Sequence, residues 1–240
     1  MKKFGDVAAV DQVSLTVAPG GIYGVAGLNG AGKSTLLSIL AGVMRPDGGR
    51  VLYRGADIRR GGSRNVRISY VPQEIALFPD LSVYDNLKFW SLAGTDASKR
   101  YERPVKERIL EAAGATGLSE RLRKQVNVLS GGMKRRVNIA AALVTEPEVL
   151  IMDEPTAGLD VKNRRDILNF ISMLARRAEG ALAVVCTSHQ SGELETISDR
   201  LLLLDRGRAV FDGAPSEVFS GKYDSYENID DILYSLGSGI

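Results

Sequence analysis

The 240 residues are 44% apolar and 25% charged, with a formal net charge of +2 and a single cysteine. That length fits one large domain or a domain with an insert, and the apolar share is ordinary for a globular chain. So small a charge gives no electrostatic reason to bind nucleic acid, one cysteine cannot build a disulfide framework, and no run nears the roughly 18 apolar residues that span a bilayer. Met1-Lys2-Lys3 leads into Phe4-Gly5-Asp6 instead of an apolar segment, so no secretory leader is expected. Cys186 lies in an apolar stretch, where packing is its expected role, and a lone thiol points to a reducing, cytosolic setting.

Val7 to Val17 alternates apolar residues at Val13, Leu15 and Val17, a strand signature, and Pro19-Gly20-Gly21 turns the chain into a second, buried strand ending at Ala26. Next comes Gly27-Leu28-Asn29-Gly30-Ala31-Gly32-Lys33-Ser34-Thr35, which satisfies G-x-x-x-x-G-K-[ST]. Leu36, Leu37, Ile39 and Leu40 recur at helical spacing, and that helix should end near Ala41-Gly42, before the turn cluster Pro46-Asp47-Gly48-Gly49. A strand, a glycine loop and a helix make an anion cradle: backbone N–H groups turn inward, and the helix N-terminus adds roughly half a positive charge. Lys33 is placed to reach β- and γ-phosphates, and the Ser34 hydroxyl to ligate Mg²⁺. A dinucleotide fingerprint fits poorly, because Gly-x-Gly in the right place is missing and a lysine occupies the helix start. The stretch is a nucleoside triphosphate site.

Further on, Arg50 to Tyr53 and Arg67 to Val71 are expected strands, the second stopped by Pro72. From Ser82 to about Arg123 the pattern is helical, with Val83, Leu87 and Trp90 on one face, then Val105, Ile109, Leu110 and Ala113. The same block is basic, carrying Lys99, Arg100, Arg103, Lys106, Arg108, Arg121, Arg123 and Lys124, which reads first as a solvated face and otherwise as a docking surface. Gly131 opens a helix with Met133, Val137, Ala140 and Ala141, and Glu148 to Met152 is an apolar strand ending in Asp153-Glu154-Pro155. Val161 to Arg176 is an amphipathic helix with Ile167, Phe170, Ile171 and Leu174 inside, followed by a strand from Ala181 to Thr187. Leu201 to Leu204 and Ala209 to Phe211 form a hairpin around Asp205-Arg206-Gly207. The acidic tail after Gly221 carries Ile229, Ile232, Leu233 and Leu236, fit for one short helix that packs back or frays.

Strands alternating with helices argue for an α/β fold: a P-loop NTPase core with a mostly parallel sheet, an N-terminal antiparallel β subdomain and an inserted helical subdomain. The expected division of this single domain is a core at about 1–73 and 146–220, helices at 74–145, and a tail at 221–240.

Phosphoryl transfer asks a protein mainly for metal, positioning and a group to orient water. An apolar strand delivering Asp153 and Glu154 at its C-terminal end supplies two carboxylates where ligands of open α/β sheets bind. Asp153 can hold Mg²⁺ directly or through water, Glu154 fits a general base, and Pro155 excludes Glu154 from the right-handed helical region. Leu129-Ser130-Gly131-Gly132-Met133-Lys134-Arg135-Arg136 is a helix N-terminus led by a hydroxyl and two glycines, a second anion site. Two such sites for one nucleotide make sense if the second completes the pocket of another copy.

With these motifs the chain resembles the ATP-binding subunits of the ABC transporter superfamily over about residues 4 to 217. Leu129-Ser130-Gly131-Gly132 matches the family signature, and the order of P-loop, Gln73, helical insert, signature, Asp153-Glu154, Ala157-Gly158-Leu159-Asp160 and Ser188-His189 matches as well. The resemblance implies an ATPase that dimerises around two Mg-ATP on the cytoplasmic face of a membrane, peripheral to a multi-span subunit, with no nucleic acid. It implies that Gly27, Asn29, Gly30, Gly32, Lys33, Ser34 and Thr35 hold phosphates and metal, and that Gln73 contacts metal or attacking water. Ser130, with Gly131 and Gly132, would meet the γ-phosphate held by the opposing subunit. Glu154 would be the base, Asp160 would bridge the dimer, and His189 would sense the γ-phosphate. Phe4 is the candidate for the family's adenine-stacking ring, and the strand that usually precedes that ring is not evident. Met133-Lys134-Arg135-Arg136 resembles the exporter branch, and no regulatory domain is expected after residue 220. A soluble DNA-repair or translation ATPase is the alternative. The insert is too short for a chromosome-type coiled coil, and the chain has one cassette where translation-type relatives have two.

Overall fold

The computed structural model describes residues 1–58, 67–93, 103–176, 182–188, 190–220 and 223–238. A six-stranded sheet runs β10-β9-β3-β8-β7-β6, formed by β3 (Ile22–Ala26), β6 (Ile68–Val71), β7 (Val149–Met152), β8 (Ala183–Thr187), β9 (Arg200–Asp205) and β10 (Arg208–Gly213). All neighbours pair in parallel except the edge strand β10, which returns on β9 through the turn Arg206 (φ 45°) and Gly207 (φ 80°). Such a turn matches strand twist when both central residues have positive φ. Strands β3 and β8 are buried at every position, because helices cover both faces.

Alternate side chains feed two cores. Leu150, Met152, Val184, Cys186, Leu201 and Leu203 pack with α5 (Val161–Ala175) and α6 (Ser191–Ile197). Ile151, Val185, Leu202, Leu204, Tyr23 and Val25 pack with α1 (Lys33–Leu40) on the other face. Cys186 is fully buried, and burial pushes its thiol up to about 12, in keeping with a packing role.

The N-terminal β layer is an antiparallel hairpin, β1 (Lys2–Phe4) with β2 (Val7–Val10), followed by a two-stranded piece, β4 (Leu52–Tyr53) with β5 (Ala56–Asp57). The strand expected through Val17 stops at Val10. Val13, Leu15 and Val17 do lean on the α1 core while Ser14 and Thr16 face solvent, so the alternation records burial; no ladder pairs these residues among those described.

A third core joins α2 (Val83–Ala93), α3 (Val105–Ala115) and α4 (Gly131–Leu143) through Val83, Leu87, Ile109, Ala113, Val137, Ala140 and Ala141. Helix α4 also gives Ile139 and Ala142 to the sheet core, which locks the helical block onto it. Two expectations need correction. Leu110 is 48% exposed, because the next residue along a helix turns about 100° away from buried Ile109. Arg108 is no part of a solvated face: it is buried, and its guanidinium donates to the Val144 carbonyl at 2.6 Å. Lys99 and Arg100 lie outside the described residues.

The tail packs back. In α7 (Ile229–Ser238), Ile229, Ile232 and Leu233 are buried in the sheet core, Asn228 caps the helix by accepting from the Asp231 N–H at 2.8 Å, and Asp230 and Asp231 oppose the helix dipole.

The register of α3 sets a test. Ile109→Ala should cost about 2–5 kcal/mol of unfolding free energy, and Leu110→Ala no more than about 0.5 kcal/mol, measured by urea denaturation.

Candidate functional site

The glycine loop is wedged between two strands, which is what its glycines are for. A Cβ on Gly32 (φ 102°) would lie 2.0 Å from the Ala9 carbonyl oxygen, and one on Gly27 would lie 2.4 Å from that of Leu204. Lys33 is 6% exposed and curls back into the loop, donating to the carbonyls of Gly27 at 2.7 Å and Leu28 at 3.1 Å. Burial pushes its pKa down, against an upward pull from Glu154 and Asp153. Asn29, Gly30 and Ser34 are exposed, Thr35 is half-buried, and no acidic residue in the first turn of α1 cancels its positive end.

Parallel pairing brings the other groups to the same edge. Met152 lies beside Val71 on one side and Cys186 on the other, so Asp153, Pro72-Gln73 and Thr187-Ser188 leave the sheet together. Asp153 is buried; its Oδ1 accepts from the Thr187 hydroxyl at 2.8 Å and its Oδ2 from the Tyr70 hydroxyl at 3.4 Å. The Thr187 Oγ1 in turn accepts from the Glu154 N–H at 2.9 Å. Glu154 is buried with φ 49°, a left-handed conformation that costs a non-glycine residue about 1–3 kcal/mol. Pro155 does exclude the right-handed region, but the chain takes this bend and not an extended exit.

Glu154, exposed Gln73, Thr156, Arg164, Ser188 and Glu193 line an open cavity of about 340 Å³. The Gln73 carbonyl accepts from buried Arg135 of α4 at 2.7 Å, and the Pro72 carbonyl from the same guanidinium at 3.1 Å. Burial lowers the pKa of Arg135, with Glu154 pulling it back up.

The hydroxyl-glycine motif stands elsewhere. Ser130 caps α4, accepting from the Met133 N–H at 3.4 Å, and Ser130 and Gly131 are exposed. A Cβ on Gly132 would meet Asn163 at 2.7 Å, so α4 and α5 touch there backbone to side chain. Asp160 caps α5 by accepting from the Asn163 N–H at 2.9 Å, which holds its carboxyl below the ordinary range. Neither Ser130 nor Asp160 lines the cavity of Glu154. Phe4 is 52% exposed, with the Lys2 ammonium 5.5 Å from its ring centre. His189 lies outside the described residues.

Among the described residues no three His, Cys, Asp or Glu side chains cluster as a metal cage. A single strand-end carboxylate such as Asp153 is the kind of donor Mg²⁺ takes, since it binds one or two carboxylates and completes its shell with water and phosphate oxygens. Sequence reasoning missed Thr187, Arg135, Arg164 and Glu193. Only Thr187 had a signal, a hydroxyl closing an apolar strand next to Asp153.

The family model described as ABC transporter matches residues 10–157. The linearmycin resistance ATP-binding protein LnrL of Bacillus subtilis is 37% identical, over 91% of this chain and 68% of its own length. The spermidine/putrescine import ATP-binding protein PotA of Protochlamydia amoebophila is 35% identical, over 91% of this chain and 57% of its own length. This chain thus spans little more than half to two thirds of those relatives. An ATP-binding cassette solved as a dimer in a post-hydrolysis state with ADP and phosphate superimposes with a TM-score of 0.74 at 25% identity, covering 89% of this chain and 94% of that one.

Thr187→Val keeps the volume but strips one hydrogen bond each from Asp153 and the Glu154 amide. It should cost about 1–3 kcal/mol in denaturant unfolding, because both groups stay buried.

Proposed function

This chain belongs to the ABC transporter family, and we propose that it is the ATP-hydrolysing subunit of a membrane exporter, working as one of a pair. One observation carries the reading. Lys33, Asp153 and Glu154 converge at one edge of the sheet, while an exposed, hydroxyl-capped helix N-terminus at Ser130-Gly131-Gly132 serves none of them. Each copy then offers half of two sites.

In this reading the loop Gly27 to Thr35 wraps the phosphates, with Lys33 turning its ammonium from the Gly27 and Leu28 carbonyls toward them. Ser34, Asp153 and Gln73 would hold Mg²⁺, which supplies charge neutralisation on the phosphate oxygens when bound. The Glu154 carboxylate takes a proton from the attacking water, and ATP becomes ADP and phosphate. Ser130, Gly131 and Gly132 meet the γ-phosphate of the other copy, Asp160 bridges the pair, His189 senses the γ-phosphate and Phe4 stacks on adenine. The similarity of the dimeric cassette supports the pairing.

Exposed Ile75, Phe78, Phe89 and Leu92, with Phe78 edge-on to Phe89 at 4.7 Å, make an apolar face beside Gln73 fit for short helices of a multi-span partner. That would keep the subunit peripheral, on the cytoplasmic face. No helix among the described residues is long and apolar enough to cross a membrane itself. Export rests on Met133-Lys134-Arg135-Arg136 and on the likeness to a resistance protein; the likeness to an import protein favours import as the second reading.

Two experiments test this. Glu154→Gln should bind ATP yet lose about 10²–10⁴-fold in turnover, and dimers should accumulate with Mg-ATP in light scattering. Near wild-type turnover would remove Glu154 as the base. Affinity capture of this chain from detergent-solubilised native membranes should recover a stoichiometric multi-span protein. Recovery of ribosomes or soluble proteins alone would leave the ATPase and end the transport assignment.

A further inference from the structure

The cavity beside Glu154 contains a second carboxylate. Glu193 of α6 is 9% exposed, and its Oε2 accepts from the Thr156 hydroxyl at 2.8 Å and the Ser188 hydroxyl at 2.6 Å. Its Oε1 lies 3.3 Å from Nε of Arg164. The same guanidinium donates to the Leu159 carbonyl at 3.2 Å and to the Gln190 side-chain oxygen at 2.5 Å.

One side chain therefore joins the chain two residues past Glu154, the residue after Thr187, the first turns of α5 and, through Arg164, the loop that ends at Asp160. An ionised carboxylate only accepts, so both hydroxyls must aim their protons at it, which fixes their rotamers. The Ser188 oxygen is left to accept from the Gln190 N–H at 3.1 Å, and the bond continues the lock into α6. Two hydroxyls converge on the Glu193 Oε2, while its Oε1 pairs with Arg164 by charge alone, without a hydrogen bond. Stability is a weak reason for such a group, since buried ion pairs replaced by apolar residues of similar volume are often no less stable. Placement of the neighbouring loops is the stronger one.

We propose that Glu193 is a positioning residue for ATP hydrolysis: it holds the exits of β7 and β8 in the geometry that Glu154 needs and, through Arg164, ties them to the Asp160 loop. The proposal rests on the ATPase reading above.

The test compares Glu193→Ala and Glu193→Gln with wild type in the full chain. Turnover per Mg-ATP-binding site and the Mg-ATP dissociation constant are measured separately. A structural role alone would lower the number of binding sites and leave turnover per site unchanged. Glu193→Ala should lose about tenfold in turnover per site with the dissociation constant within ~2-fold, and Glu193→Gln, which keeps an acceptor for both hydroxyls, should recover to within ~3-fold of wild type. Unchanged turnover per site, a dissociation constant rising in step with the loss, or a Gln variant no better than Ala would overturn the proposal. If Glu193→Ala does not fold, Thr156→Val and Ser188→Ala each remove one bond and should lose at least ~3-fold per site; full turnover in both overturns it equally. A wild-type chain that binds Mg-ATP without turning it over overturns the ATPase reading and this one together, whereas full turnover in wild type and variants overturns this one alone.

Discussion

Four charges are buried at one edge of the sheet, and the surrounding structure follows from that constraint. Lys33, Arg135, Asp153 and Glu154 are each no more than 6% exposed. Removing an ion from water costs several kcal/mol even after relaxation, so none of them is tolerable alone. Two cations stand against two carboxylates: burial lowers the pKa of Lys33 and of Arg135, and Glu154 acts against the shift in both. Opposite signs placed side by side offset part of that cost. The arrangement also leaves Asp153 able to accept further donors or a hard cation, because no protein cation grips it directly among the bonds described.

Holding such a set together demands a stiff frame, and parallel strands buried on both faces provide one. The register that puts Met152 between Val71 and Cys186 fixes where Asp153, Gln73 and Thr187 emerge to within a residue. A slip by one residue would send Asp153 to the opposite face. Thr187 then closes the gap between neighbouring strand ends with a single hydroxyl that donates to Asp153 and accepts from the Glu154 amide. Left-handed Glu154 persists because these bonds over-determine it, which is how strain survives at a working site. Behind this edge, α6 is itself braced by the tail: the Ser191 hydroxyl donates to Asp230 of α7 at 2.7 Å.

The parts legible from sequence are those in which one local pattern has one structural solution. Gly27 to Thr35 could only be a strand-loop-helix cradle, and the apolar run to Met152 could only deliver Asp153 at a strand end. The misses share a different cause. Alternation at Val13, Leu15 and Val17 reports which side is covered, and a covered segment need not have a pairing partner. Arg108 looked like a member of a charged surface because charge says nothing about a carbonyl waiting 36 residues away in the chain, as that of Val144 does. Glu193 and Arg164 carry no motif at all; their roles exist only where β7, β8, α5 and α6 meet. The α7 alternatives were decided by its apolar face, Ile229, Ile232 and Leu233, finding the sheet core.

The separation between the Ser130 cap and the Glu154 cavity has a mechanical counterpart. Helix α4 starts at the cap, and one turn later its Arg135 holds the successive carbonyls of Pro72 and Gln73. At the same turn Gly132 touches Asn163, which is itself tied to Asp160 by two hydrogen bonds. A helix is stiff over one turn, and a glycine contact with no side chain between leaves little slack. A displacement of the cap would therefore be carried to Gln73 along one arm and to Asp160 along the other. From Asp160 the path continues through the Leu159 carbonyl and Arg164 to Glu193. In the pairing proposed above, an anion gripped at the exposed end of α4 would bear on both loops flanking Glu154 without approaching it, which would give each half of the site a physical means of registering the other.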